Sequence, residues 1–286
     1  MTISLLTAIL LLLTITFQTI NRLVTKYAVT RVDPLSIFIF GNLITGSLFG
    51  VLIINSDISI PELSFQSLVL LFLAILCWAI FGYIYNLALT ETSLSVFTIL
   101  TQLQILLVTT LGIVFLGHTI TSGLVVGVIC IITGSILVTY QKNSSYEISR
   151  RGLLLTLIVA ISGASAIFLD SLLVKYFNPL LYGFIIIVFS TLPFLLIYKN
   201  KVHDFSKKSL KIYLLCGVSF FFAYMTPLYL YRQPDLLITY AYPILRAGAI
   251  LSVLLSILIF KEHTNWKYKI IAILLASFGA VCIKLM

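Results

Sequence analysis

Arg246 lies near the middle of an apolar stretch, 234–260, with about ten apolar or weakly polar residues on either side. A guanidinium at the centre of a bilayer costs about 2.5–3.5 kcal/mol on insertion scales, so something must compensate it. Asp170 is the only acid well inside another such stretch, 152–176. The pair supports two readings. Either the two charges form a buried ion pair, or Asp170 holds the amine of a ligand and Arg246 its carboxylate. A blander reading places Asp170 near an interface beside Lys175. Thr239, Tyr242 and Arg246 share one helical face by spacing.

Gln18, Asn21, Arg22 and Thr25 extend a polar stripe that begins at Thr14. Steps of three and four put them on one side of a helix. Such a stripe faces protein or water rather than lipid. Helix-to-helix hydrogen bonding explains Gln18 and Asn21 as well as cavity lining does. Arg22 stands nearer the end of its stretch, where a long side chain can snorkel. Trp78 and Tyr85 share one stretch, and Tyr224 and Tyr242 lie in two others. Their ring faces suit an organic cation. Tyr229 and Tyr231 fit an interfacial belt. Pro227 and Pro243 interrupt two stretches, as packing kinks or as parts of a bending gate. The candidate substrate-binding residues are Gln18, Asn21, Trp78, Tyr85, Gln102, Asp170, Tyr224, Tyr242 and Arg246.

Catalytic chemistry finds little footing. The three histidines, His118, His203 and His263, fall in or near loops. HExxH, GxSxG and GxxxxGK[ST] patterns are absent. Cys77, Cys130, Cys216 and Cys282 share no metal or redox spacing and read as packing residues. The expectation is no enzyme, no metal and no cofactor.

These residues need elements to hold them. Charged residues are 9% of the chain and hydrophobic ones 60%. A soluble domain carries roughly 25% charged residues, so most of this surface must meet lipid. Ten apolar stretches are long enough to span a bilayer: 3–21, 35–54, 66–89, 94–116, 121–140, 152–176, 179–198, 210–231, 234–260 and 267–285. They are too long and too evenly apolar for barrel strands. The first lacks the basic start and small-residue cleavage site of a signal peptide. The net charge of +9 comes from residues beside the stretches, which suits helix anchoring better than nucleic-acid binding. Thirteen loop Lys and Arg fall on one side and three on the other. The positive-inside rule then puts 141–151 and 199–211 in the cytoplasm and both termini outside it.

The link 141–151 divides five stretches from five. Lys26-Tyr27 and Asp33-Pro34 in the first half recur as Lys175-Tyr176 and Asn178-Pro179 in the second. Phe115-Leu-Gly-His118 recurs as Ile259-Phe-Lys-Glu262, and Gly127/Gly134 as Ala272/Gly279. An odd number of spans per repeat inverts the second repeat in the membrane.

The run Ala88-Leu-Thr-Glu-Thr-Ser-Leu-Ser-Val96 with Thr101, Phe115-Leu-Gly117 and Gly127/Gly134 resembles the EamA domain of the drug/metabolite transporter superfamily. The second half is similar through Phe260-Lys-Glu262 and Gly279. The resemblance implies two five-helix repeats, 1–142 and 150–286, with a central cavity and a small-metabolite cargo. Three departures stand out. His118 replaces the first glutamate of the usual Gly-Glu pair, and Asn42 lies near the place of a common arginine. The charge count also reverses the usual placement of the termini. In small multidrug-resistance relatives an acid lies about two turns before a lysine at the end of helix one. Gln18 takes that place here and exchanges no protons, so that coupling mechanism is not carried over.

The expected protein is an all-α polytopic membrane protein, ten transmembrane helices as two inverted five-helix repeats. It is expected in the cell membrane as a secondary transporter of an amino acid or organic cation, with ion or proton coupling left open. A lipid or lipid-linked flippase is the alternative, and a membrane-embedded enzyme ranks below it.

Overall fold

The computed structural model describes residues 4–58, 61, 64–117, 122–139, 149–198, 207–234, 238–262 and 265–285. His118, His203, His263 and most of the two polar loops lie outside these residues, as do the side chains of Thr239 and Tyr240.

The described residues form twelve helices: α1 (Leu5–Val29), α2 (Pro34–Ile54), α3 (Phe65–Glu91), α4 (Leu94–Leu100), α5 (Leu103–Leu116), α6 (Ser122–Thr139), α7 (Arg150–Leu173), α8 (Pro179–Tyr198), α9 (Lys207–Tyr231), α10 (Ile238–Ala247), α11 (Ala249–Ile259) and α12 (Trp266–Leu285). Seven segments are long and apolar enough to cross a membrane, counting α4 with α5 as one. Leu12, Ile54 and Leu258 are among many large apolar side chains left on the outside, as a chain solvated by lipid requires.

Polar starts fix the helix ends. Asp33 Oδ2 accepts from the Ser36 amide at 2.9 Å, and Pro34 opens α2, where its missing N–H costs nothing. Asn178 Oδ1 accepts from the Leu180 amide at 2.9 Å, and Pro179 opens α8. The recurring Asx-Pro pair is thus a helix start used twice.

Two expectations need correction. The first helix runs to Val29 rather than ending at residue 21. Arg22 and Lys26 find partners inside the bundle, Ser252 Oγ and the carbonyls of Leu89 and Thr92, so their charges do not stop the helix. The stretches 94–116 and 234–260 each hold two helices rather than one. At the first break, Gln102 N bonds Ile99 O, Gln104 N bonds Thr101 O and Ile105 N bonds Gln102 O. At the second, Gly248 N bonds Leu245 O and Leu251 N bonds Gly248 O. These are three-residue turns, the tighter helix that often marks a hinge. Pro227 and Pro243 sit inside helices α9 and α10, and the second break falls after Pro243, at Gly248.

Packing relates the halves. A Cβ on Gly134 would stand 2.7 Å from Ala272 O, and one on Gly279 would stand 2.6 Å from Gly127 O. The four small residues form one reciprocal crossing of α6 and α12, running antiparallel. Helices α2 and α8 also run antiparallel. Asn42 donates to Thr191 Oγ1 at 2.8 Å, and Gly46 and Gly50 face Val188 and Phe184 in turn. Helix α4 packs on α11 and α5 on α10. Helix α1 also packs on α9 and α3 on α7. The large core cluster, with Trp78, Tyr182, Tyr224 and Tyr242, fills the seam.

Candidate functional site

A cavity of about 150 Å³ opens between the halves of the chain. Of the nine candidates, Gln18, Asn21, Trp78, Tyr85, Asp170, Tyr224 and Arg246 line it. Gln102 and Tyr242 are buried and are not among its lining residues. Helices α1 and α3 supply the first-half side chains, and α7, α9 and α10 those of the second.

One pole is acidic. Asp170 is 1% exposed. Its Oδ1 accepts from Trp78 Nε1 at 2.9 Å and from the Tyr182 hydroxyl at 2.7 Å. The interfacial placement beside Lys175 is therefore wrong: Lys175 is exposed, whereas α7 turns Asp170 inward against α3 and α8. The Tyr224 ring meets that of Trp78 edge-on, centroids 4.7 Å apart. Its buried hydroxyl lies beside the Asp170 carboxylate.

The other pole is basic. Arg246 is 7% exposed. Its Nε donates to the Tyr242 hydroxyl at 2.7 Å, and Nη2 donates to the same oxygen. That hydroxyl donates to Gln104 Oε1 at 2.7 Å, and Gln104 Nε2 donates to Val159 O at 3.0 Å. Arg22 joins Arg246 on the cavity wall. It donates to Ser252 Oγ at 3.2 Å and is close enough to Arg246 for the two charges to repel. No ion pair joins Asp170 to Arg246 among the described residues, so the ion-pair reading is set aside. Each charge has neutral partners of its own.

Gln102 holds the breaks together. Its Nε2 donates to Arg246 O at 3.0 Å, next to the α10–α11 break. Asn21 serves both alternatives read from the sequence: it lines the cavity, and its Oδ1 accepts from Ser219 at 3.0 Å.

One end of the bundle is braced. The Glu262 carboxylate accepts from the amides of Leu94 and Ser95 at 2.8 and 2.9 Å, and from the Ser95 hydroxyl. Lys26 Nζ donates to Leu89 O at 2.7 Å and Thr92 O at 2.6 Å. These bonds tie α1 to the end of α3, and the α11–α12 link to the start of α4. Lys175, which matches Lys26 by sequence, is exposed.

Several residues of the site were not among the nine candidates. Arg22, Gln104, Asn86 and Tyr231 line the cavity, and Tyr182 holds Asp170. Tyr231 is 6% exposed rather than part of an interfacial belt. Arg22 carried a signal, since it continues the α1 stripe. Tyr182 carried none, because only the fold brings α8 to α7.

The EamA-like transporter family model matches residues 5–140 and again 150–285. No curated protein matches the chain. A solved crystal structure of a protein superposes with a TM-score of 0.73 at 13% identity, covering 98% of this chain and 96% of that one. That likeness concerns the fold. The two family matches fall on either side of the 141–149 link and take in every helix that lines the cavity; the chain belongs to the EamA-like transporter family and is a membrane transporter of the drug/metabolite type.

Proposed function

We propose that the chain is a ten-helix secondary carrier that moves one small polar metabolite, an amino acid or an organic amine, across the cell membrane by alternating access. Each repeat contributes five spans, with 1–142 and 150–286 as the repeat units. The antiparallel run of α2 against α8 and of α6 against α12 supports the inverted relation. Inverted repeats let one scaffold close at either end. The three-residue turns within 94–116 and 234–260 are the places where the chain bends.

The observation that carries the reading is a cavity lined by both repeats whose wall holds a buried acid, Asp170, and two arginines, Arg22 and Arg246. Buried charges without ion-pair partners mark a pathway for polar cargo. The size favours a small metabolite over a lipid-linked one, since about 150 Å³ takes up one benzene in an engineered core. Asp170 and the Trp78 and Tyr224 rings face an ammonium, and the arginines face a carboxylate.

Purified protein in vesicles tests this directly. Radiolabelled amino acids and amines are offered one by one, and uptake is compared with that of empty vesicles. Saturable uptake of one class supports the carrier. Flux of lipid-linked species with none of small solutes would favour the flippase.

A further inference from the structure

We infer that Arg22 and Arg246 together clamp a carboxylate of the transported molecule, so that a carboxylate, and not merely an amine, is required for binding. The inference rests on the carrier reading and narrows its substrate class. Arg22 comes from α1 in the first repeat and Arg246 from α10 in the second. Both line the same cavity. Among the described residues neither pairs with a carboxylate. Arg22 donates to Ser252, and Arg246 donates from Nε and Nη2 to Tyr242. A guanidinium carries five N–H donors, so both keep donors to spare.

Two like charges at this depth oppose each other, and each has left bulk water. A structural role would provide an acid partner, and the described acids that bond within the bundle are engaged elsewhere. Asp170 is held by Trp78 and Tyr182, and Glu262 by the start of α4. The missing counter-charge is supplied by cargo. A carboxylate accepts up to four hydrogen bonds, and planar guanidiniums match its geometry. Because the two arginines belong to different repeats, an anion between them also draws the halves together.

The sequence holds two tryptophans, Trp78 in the cavity wall and Trp266, which is exposed at the start of α12. Trp266→Phe therefore leaves one reporter beside the cargo. Purified Trp266→Phe protein is titrated with propionate, L-alanine and alaninamide while Trp78 emission is followed. Propionate and L-alanine should give saturable changes, whereas alaninamide, an amine without a carboxylate, should give none. Arg22→Gln or Arg246→Gln should raise the half-saturating concentration of L-alanine at least tenfold. The same substitutions should raise the thermal midpoint of the empty protein, because each relieves the repulsion. A merely structural arginine would lower it. The clamp is overturned by equal binding of alaninamide and L-alanine, by carboxylate binding that ignores both substitutions, or by silence toward both carboxylates. Flux into vesicles is measured in parallel. Flux of the amide alone keeps the carrier and sinks the clamp. Carboxylate binding without flux of any probe keeps the clamp and sinks the carrier.

Discussion

At the scale of residues, the site is a set of buried charges, each solvated by neutral groups of the protein. Asp170→Asn keeps an acceptor for Trp78 and Tyr182 but removes the charge. It should fold normally and weaken uptake of amine-bearing cargo, with uptake kinetics as the check. The Asp170→Asn, Arg246→Gln double variant should recover nothing over either single variant, because the two side chains do not pair. Tyr242→Phe strands Arg246 and Gln104 at once. A buried polar group left without its partner costs about 1–3 kcal/mol, which thermal unfolding would register. The sequence made the mid-stretch charges legible, since Asp170 and Arg246 are the charged side chains that stand away from the ends of their runs. It did not assign their partners. Gln102 and Gln104 are two residues apart with similar surroundings in sequence. Gln104, on the cavity wall, accepts from the Tyr242 hydroxyl behind it, and Gln102 reaches the Arg246 carbonyl. That division depends on the turn at Thr101–Gln102, which composition does not reveal.

At the scale of elements, the small residues and the brace decide which movements are open. Gly279 faces backbone of α6, which has no flexible end to give way. Gly279→Val should cost about 1–3 kcal/mol through overpacking, read as a lower unfolding midpoint. The seven-residue spacing of Gly127/Gly134 and Ala272/Gly279 was visible in the sequence as a repeat. Their reciprocal contact was not, because it forms between helices far apart in the chain. Glu262 caps the short helix α4 from the other repeat. A cap is worth about 0.5–2 kcal/mol, so Glu262→Ala should loosen this end. A cysteine placed at Ser95, buried beneath Glu262, should label faster with a water-soluble maleimide in the Glu262→Ala background than without it.

At the scale of the whole molecule, lipid as solvent was the most legible feature, because 9% charge cannot cover this chain in water. The ordering of helices into a seam cavity followed only from long-range packing. Orientation is a matter of loop charge. Thirteen basic residues against three predict a cytoplasmic 199–211 by the positive-inside rule. A cysteine at Lys207 should resist a membrane-impermeant maleimide added to intact cells, and efficient labelling there would reverse the topology. The central claim is that Arg246 serves cargo on the seam. Its most direct test is uptake by vesicles holding wild-type or Arg246→Ala protein at matched amounts. Correctly inserted Arg246→Ala protein should show uptake lowered at least tenfold; wild-type uptake by Arg246→Ala would contradict a role for this residue in holding cargo.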